Sequence, residues 1–421
     1  MHGHDAACAH HEGRDDLRRL GIVLSIGRLV GGAAALGWTV FAAAKLQQDW
    51  GRLATVLAYA SVASVFTDLG IPLALTQLSC RHGTLDRAVV YRAIRTRAAI
   101  GSIAAIVLVL AWDNTSSANG RWGLAALYGI SVTVTPITGS FLALLRGRAV
   151  GVVEACYEAG RQLALPALGI AIIQLGLGIF GVLALYVTID VIGSIAVFLI
   201  ARKRLGITNG DDATERHEME LRETVPLSAT TIVGNAYERV DSALLAPLAG
   251  TAAVGVYRMI SPLIGAVLMP ARAFGDAAAV GAGRAAPHQQ RATVKRFAAR
   301  ALVVTVPLAA LIAWLGPAVL SHLLQAHRSI HNPHPIDWNT ARVPIRVLAV
   351  TAIPTAILAT LTPVAVLARR DRVFGYALLA LVLNVVLNVV LVPAWGADLG
   401  ASGAAIAFLL TESMLCVVLW L

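Results

Sequence analysis

Charge is scarce in this sequence. Only 14% of its 421 residues are Asp, Glu, Lys or Arg, where soluble domains carry roughly a quarter, so an ordinary water-facing surface cannot be assembled from it. Aromatic residues are also few, at 6%, which leaves little from which to build a stacked pocket for organic cations. Four cysteines are present. Cys156 and Cys416 fall inside apolar runs, and Cys8 and Cys80 in segments assigned below to the cytoplasm, so no external disulfide framework is expected. The chain has no Gly-rich phosphate loop, metal-ligand triad or nucleophile elbow. ATP is therefore not the expected energy source, and an enzyme is not the expected class. The first residues, MHGHDAACAHHEGRDDLRRL, lack a compact apolar core before a small-residue cleavage site, which argues against a signal peptide.

What fills the chain is apolar. Hydrophobic residues make up 57%, and mean hydropathy is +0.72. Twelve apolar runs can be placed, at 20–44, 53–79, 98–112, 122–145, 150–173, 178–201, 224–247, 252–280, 300–325, 343–368, 373–395 and 399–421. About 20 helical residues cross a hydrocarbon layer of about 30 Å, and a helix satisfies its own backbone polar groups there. The expected fold is all-α and polytopic, with about twelve membrane-spanning helices; the third run, 98–112, is the shortest.

The basic residues orient these spans, because short cytoplasmic loops hold an excess of Lys and Arg. With the N-terminus inside, 23 of the 34 fall in cytoplasmic segments, including Arg81 to Arg97, Arg202 to Arg222 and Arg284 to Arg300, against 6 on the other side. Both termini are expected in the cytoplasm. The net charge of +10 then faces anionic membrane lipids, and no nucleic-acid partner is required. Two histidine groups stand out. His2, His4, His10 and His11 with Cys8 match no defined metal spacing, and His322, His327, His331 and His334 lie in the external connection LLQAHRSIHNPHPIDWNTARVP; no metal is expected at either.

The ends of the two halves of the chain repeat. LGIFGVLALYVTID (177–190) aligns without gaps on LGASGAAIAFLLTE (399–412), pairing Gly178 with Gly400, Gly181 with Gly403 and Asp190 with Glu412. KLQQDWGRLA (45–54) pairs more loosely with LAGTAAVGVY through Gly51 and Gly255. A parallel duplication of six helices explains both, as in many transporters.

Four stretches resemble a known family. AAKLQQDWGRLATVLAYASVASVFTDLGIPLALTQ, VYRAIRTRAAIGS, ERVDSALLAPLAGTAAVGVYRMISPL and LNVVLNVVLVPAWGADLGASGAAIA are similar to segments of the polysaccharide exporters, or Wzx-type flippases, of the multidrug/oligosaccharidyl-lipid/polysaccharide (MOP) superfamily. The resemblance implies a MATE-like fold of two six-helix lobes around a central cavity that opens alternately to each side. It also implies a bacterial inner (plasma) membrane location and a polyprenyl-diphosphate-linked oligosaccharide as substrate, flipped for cell-surface polysaccharide synthesis. Glycan polymerases or glycosyltransferases would be partners. Domain limits would be an N-terminal tail (1–19), a first lobe (20–201), a linker (202–223) and a second lobe (224–421).

Charges at depth mark the candidate site. A charge facing lipid at mid-membrane costs roughly 2.5 to 3.5 kcal/mol on insertion scales, so such residues usually face a bundle interior or a water-filled cavity. Glu158 with Arg161 and Arg272 with Asp276 have the spacing of ion pairs along one helix and are expected to be structural. Arg28, Arg239 and Arg258 have no comparable partner, apart from a crowded one for Arg239, and guanidinium groups bind diphosphate bidentately. They are the expected substrate contacts, and the resemblance maps cavity arginines onto Arg28 and Arg258. Arg28 would otherwise snorkel to the headgroups. Asp68, Asp190, Glu238, Asp241 and Glu412 are expected as coupling or cavity charges for H+ or Na+, although Asp68 could simply cap a break before Gly70 and Pro72. An ion-coupled drug or organic-cation antiporter and a polytopic glycosyltransferase are the competing classes. Short external connections disfavour the latter.

Overall fold

The computed structural model describes residue 32 and residues 34–68, 71–81, 85–115, 122–148, 150–205, 207–208, 214–284, 287–326, 338–368 and 370–420. The apolar runs form helices: α1 (Ala34–Leu46), α2 (Gln48–Asp68), α3 (Ile71–Arg81), α4 (Arg87–Thr115), α5 (Trp122–Gly147), α6 (Gly151–Gln174) and α7 (Gly178–Arg204). There follow α8 (Thr214–Arg284), α9 (Pro287–Ala326), α10 (Arg342–Ala368), α11 (Arg370–Ala394) and α12 (Gly396–Trp420). The second run is divided between α2 and α3, with Asp68 the last residue of α2. The seventh and eighth are the two arms of α8, bent at Gly250, whose φ of 85° and ψ of 171° leave the helical region. An L side chain is strained at such a φ, and glycine is not.

Among the described residues, eight stretches are long and apolar enough to cross a membrane. One, Ile232–Gly275, holds 44 residues and the bend, about twice the length one crossing needs. The third run is longer than its apolar letters indicate: α4 has 29 residues and begins at Arg87. Arginines expected in a loop are therefore helical, because long cationic side chains reach headgroups or water without breaking the backbone ladder.

Within the first half, α4 packs on α2 and α5, α5 on α3 and α7, and α6 on α7; within the second, α10 packs on α8, α9 and α12, and α11 on α8 and α12. The halves meet chiefly along α2 and α8. Small side chains suit this approach, among them the buried Ala54 and Ala58 of α2 and Ala253 of α8. Such residues are the usual means of close helix contact in lipid. Outward, Ile103, Ile106, Val107, Ile192, Ile195, Trp314, Val386 and Val390 are exposed. In water this face would aggregate, whereas in hydrocarbon it matches its surroundings.

The repeat is visible in the contacts. A side chain at Gly181 would meet Ile172 of α6 at 2.8 Å, and one at Gly403 would meet the Leu391 carbonyl of α11 at 2.7 Å, so each glycine seats the last helix of its half on the one before. Gly51 and Gly255 face one another: a β-carbon on Gly255 would lie 3.0 Å from the Gly51 α-carbon. The Trp50 indole N–H donates to the Gly255 carbonyl at 2.9 Å. This seam closes the end of the molecule that carries the α1–α2 turn and the α8 bend. At the other end a two-residue parallel ladder, Leu85 with Ile207 and Asp86 with Thr208, joins the start of α4 to the segment after α7.

Candidate functional site

Arg239 and Arg258 lie 11 and 8 residues from the Gly250 bend on the two arms of α8. At 1.5 Å per residue this is about 16 and 12 Å, near the middle of a layer about 30 Å thick. Both line a cavity of about 590 Å³ between the halves. The opposing wall comprises Ser61, Ser64 and Thr67 of α2, Arg97 of α4, Tyr128, Ser131 and Thr135 of α5, Arg161 of α6 and Tyr186 of α7. Four arginines thus converge on one polar chamber. A second cavity, about 420 Å³ between α1, α8 and α9, is lined by Leu36, Phe41, Met259, Leu263 and Leu320 among others and offers no charged side chain.

The four cations are held differently. Arg97, 2% exposed, donates from Nε to the Thr67 carbonyl and from Nη1 to Ser140 Oγ, both at 3.0 Å. Arg239 donates from Nη1 to the Ser61 carbonyl at 2.9 Å and to Ser64 Oγ at 2.8 Å, which ties α8 to α2 across the seam between halves. Arg161 donates from Nε to Asp190 Oδ1 at 2.7 Å and, at 3.5 Å, from Nη2 to Oδ2; the Ser131 hydroxyl also donates to Oδ2. Among the described residues Arg258 has no hydrogen-bond or ion-pair partner. Its neighbours are the Tyr128, Tyr186 and Tyr257 hydroxyls and the like charge of Arg239. A buried cation without a counter-charge is costly, and an anion entering the cavity offsets that cost. Tyr128 and Tyr186 meet edge to face at 6.0 Å, and Trp38 of α1 donates its indole N–H to Tyr186 at 3.3 Å.

A second polar cluster lies inside the second half. Asp241, 2% exposed, accepts from Asn388 Nδ2 at 2.8 Å and from the Tyr257 hydroxyl at 3.2 Å. Asn388 Nδ2 also donates to Asn384 Oδ1 at 2.9 Å, while buried Asn388 Oδ1 has no hydrogen-bond partner. Glu412 accepts from the Tyr237 hydroxyl at 2.9 Å and lies beside Thr355. Two carboxylates and two amides so gathered offer several oxygens to a hard cation. Among the described residues no three His, Cys, Asp or Glu side chains come together, so the donors are not those of a transition-metal site.

Several expectations need correction. Arg161 does not pair with Glu158 three residues earlier; its partner is Asp190 on α7, and Glu158 is exposed. The local spacing fits, but a carboxylate on the facing helix is the one Arg161 meets. Of the expected cavity charges on α8, Asp241 is buried, whereas Glu238 is exposed, although both stand near Glu412. Arg97, counted among the loop arginines, lines the cavity. Arg272 is exposed. The side chains of Asp68 and Asp276, all of Arg28, the N-terminal histidines with Cys8, and His327, His331 and His334 lie outside the described residues; His322 is exposed near the end of α9.

Comparison with known proteins agrees with this architecture. The fold is similar to the lipid II flippase MurJ in an inward closed conformation, with a TM-score of 0.68 at 10% identity over 95% of this chain and 88% of that one. It is also similar to the MATE multidrug transporter DinF-BH (TM-score 0.62, 15% identity, 96% and 95% covered). The MATE transporter VcmN of Vibrio cholerae is similar as well (TM-score 0.62, 12% identity, 96% and 97% covered). No curated protein matches the sequence. Residues 17–280 match the family described as polysaccharide biosynthesis protein. With more than half of its length matched and the fold shared with two branches of the MOP superfamily, the chain is a polytopic membrane protein belonging to the polysaccharide biosynthesis protein family.

Proposed function

We propose that this protein is an alternating-access flippase that moves a polyprenyl-diphosphate-linked oligosaccharide, or a related glycolipid, from the cytoplasmic to the outer leaflet for cell-surface polysaccharide synthesis. The carrying observation is the mid-depth cavity lined by Arg97, Arg161, Arg239 and Arg258, the last without a partner among the described residues. A diphosphate is a compact anion that guanidinium groups grip with paired hydrogen bonds, and an organic cation would be repelled from this chamber. One structural relative is named a lipid II flippase, which agrees with a lipid-borne substrate. The lobes are residues 20–201 and 224–421, joined by a cytoplasmic linker at 202–223, with both termini in the cytoplasm of a bacterial cell; Arg28 on the first lobe completes the anion site. Glycan polymerases or glycosyltransferases stand on either side of the flipping step as partners.

Transport is coupled to an ion, H+ or Na+. The Asp241, Asn384 and Asn388 oxygens, with Asn388 Oδ1 unsatisfied, support a cation held in the second lobe, with Glu412 near it.

The test is flipping of a lipid-diphosphate glycan in proteoliposomes. A charge-assisted contact is worth about 1.5 to 3 kcal/mol, so Arg258→Ala should weaken substrate binding about ten- to a hundredfold. Arg258→Lys keeps the charge without the fork and should restore only part of it. An Arg258→Ala protein that is present in the membrane at parental levels and transports normally would remove the diphosphate from this cavity and favour the drug-antiporter class.

A further inference from the structure

Among the described residues of the cavity, Arg239 and Arg258 face no carboxylate, while Arg161 is bound to one. Its side chain is 28% exposed, whereas that of Asp190 is 1% exposed. The guanidinium therefore sits between a buried carboxylate behind it and the open chamber in front. Its hold is uneven, with one bond at 2.7 Å and a second at 3.5 Å, and Asp190 keeps a separate donor in the Ser131 hydroxyl. Resting on the diphosphate reading of the chamber, we propose that Asp190 and the substrate compete for Arg161: the entering diphosphate takes the guanidinium, and Asp190 takes a proton from the aqueous phase.

The groups facing Asp190 decide its charge once Arg161 has left. From α5 these are Ser131 and Tyr128, from α6 Tyr157 beside Arg161, and from α7 itself Tyr186; Arg258 of α8 faces the same two cavity tyrosines. Glu158, the nearest other carboxylate on α6, is exposed. The tyrosines are neutral and Arg258 is itself turned to the chamber, so among the described residues no other cation takes the place of Arg161. A buried carboxylate left with hydroxyl donors alone is cheaper to neutralise than to keep charged. Each anion that enters then loads one proton, and by reciprocity a proton on Asp190 strengthens anion binding by the same factor. Ordinary substrate contacts would leave the proton count unchanged.

The test uses the full-length protein in lipid nanodiscs and glucosyl farnesyl diphosphate, a diester that stays fully ionised and takes up no proton itself. Calorimetry in two buffers of different ionisation enthalpy should show about one proton absorbed per probe bound, with affinity rising up to about tenfold per unit fall in pH. Asp190→Asn should abolish uptake, flatten the pH profile and bind at neutral pH at least as tightly as the parent, because Asn does not compete for the guanidinium. Arg161→Ala should weaken binding tenfold or more and also abolish uptake. A merely bracing Asp190 gives the opposite sign: Asp190→Asn would loosen Arg161 and weaken binding, and that result overturns the proposal. Binding by the parent without proton uptake overturns it too, a result that needs no variant to fold. If that binding still depends on Arg258, the diphosphate site survives the failure of the exchange; a parent that does not bind the probe removes both.

Discussion

An arginine at mid-membrane must find a substitute for its lost hydration, and the four in this cavity find different ones. Arg97 and Arg239 use backbone carbonyls and serine hydroxyls, Arg161 a carboxylate, and Arg258 only the faces of neutral hydroxyl groups. Among the described residues, neutral partners leave the charges of Arg239 and Arg258 uncancelled, so the chamber keeps its attraction for anions. In the second half the sign is reversed: Asp241 and Glu412 are buried among amides and hydroxyls, and among the described residues no arginine is hydrogen-bonded to either. Asp241→Asn should therefore weaken the binding of a coupling cation about ten- to a hundredfold and abolish gradient-driven transport, while diphosphate binding is retained. Ion-dependent protection against thermal unfolding measures the first effect; unchanged protection would remove the cation from this cluster. Arg239, Arg258 and Asp241 were legible in the sequence because a charge inside an apolar run is conspicuous. Arg97 was not, since it follows Arg92 and Arg95 and continues what looks like a basic loop. Ser61, Ser64, Tyr128 and Tyr186 carried no signal either: small hydroxyls and tyrosines are ordinary in a spanning helix, and only the fold shows which face the chamber.

At the scale of elements, α8 does most to shape the site. Its bend at Gly250 turns two crossings back to back, so that Arg239 and Arg258, 19 residues apart in sequence, enter one cavity from two arms. The bend itself rests against α2 through Gly51, Trp50 and Gly255. Gly255→Val would place carbon atoms where the Gly51 backbone now lies and should hold the seam apart. In a protein freed of its native cysteines, Ser64→Cys should then react with a membrane-impermeant maleimide from the Gly250 side, and it should remain protected when Gly255 is kept. Equal labelling in both would show that this contact does not close that end. The hydrophobic pattern gave the all-α, membrane-spanning character and the order of the helices, because lipid demands length and apolarity of every span. It erred at α4 and between α2 and α3, where helix continuity depends on backbone hydrogen bonding and on how far an arginine can reach.

For the whole molecule, the loop charges predict the sidedness on which the proposed flipping direction depends. A reporter fused after Arg204 should read cytoplasmic, and one inserted near Asn332 external; the reverse at both sites would invert the orientation and the direction with it. The partner of Arg161 illustrates what a sequence of this length hides. Glu158 lies three positions away and Asp190 lies 29 away, and only the packing of α6 on α7 chooses between them. The internal repeat was legible from a few glycines, and its geometric meaning was not. Gly51 and Gly255, paired in the repeat, both lie in the seam: Gly255 packs on the Gly51 backbone, and Gly51 on Thr251 and Ala252 just before Gly255. A position touching its own counterpart is what a two-fold axis requires in an isologous homodimer. The α2–α8 seam has the form of an isologous contact in which the two halves of one chain stand in the place of two subunits.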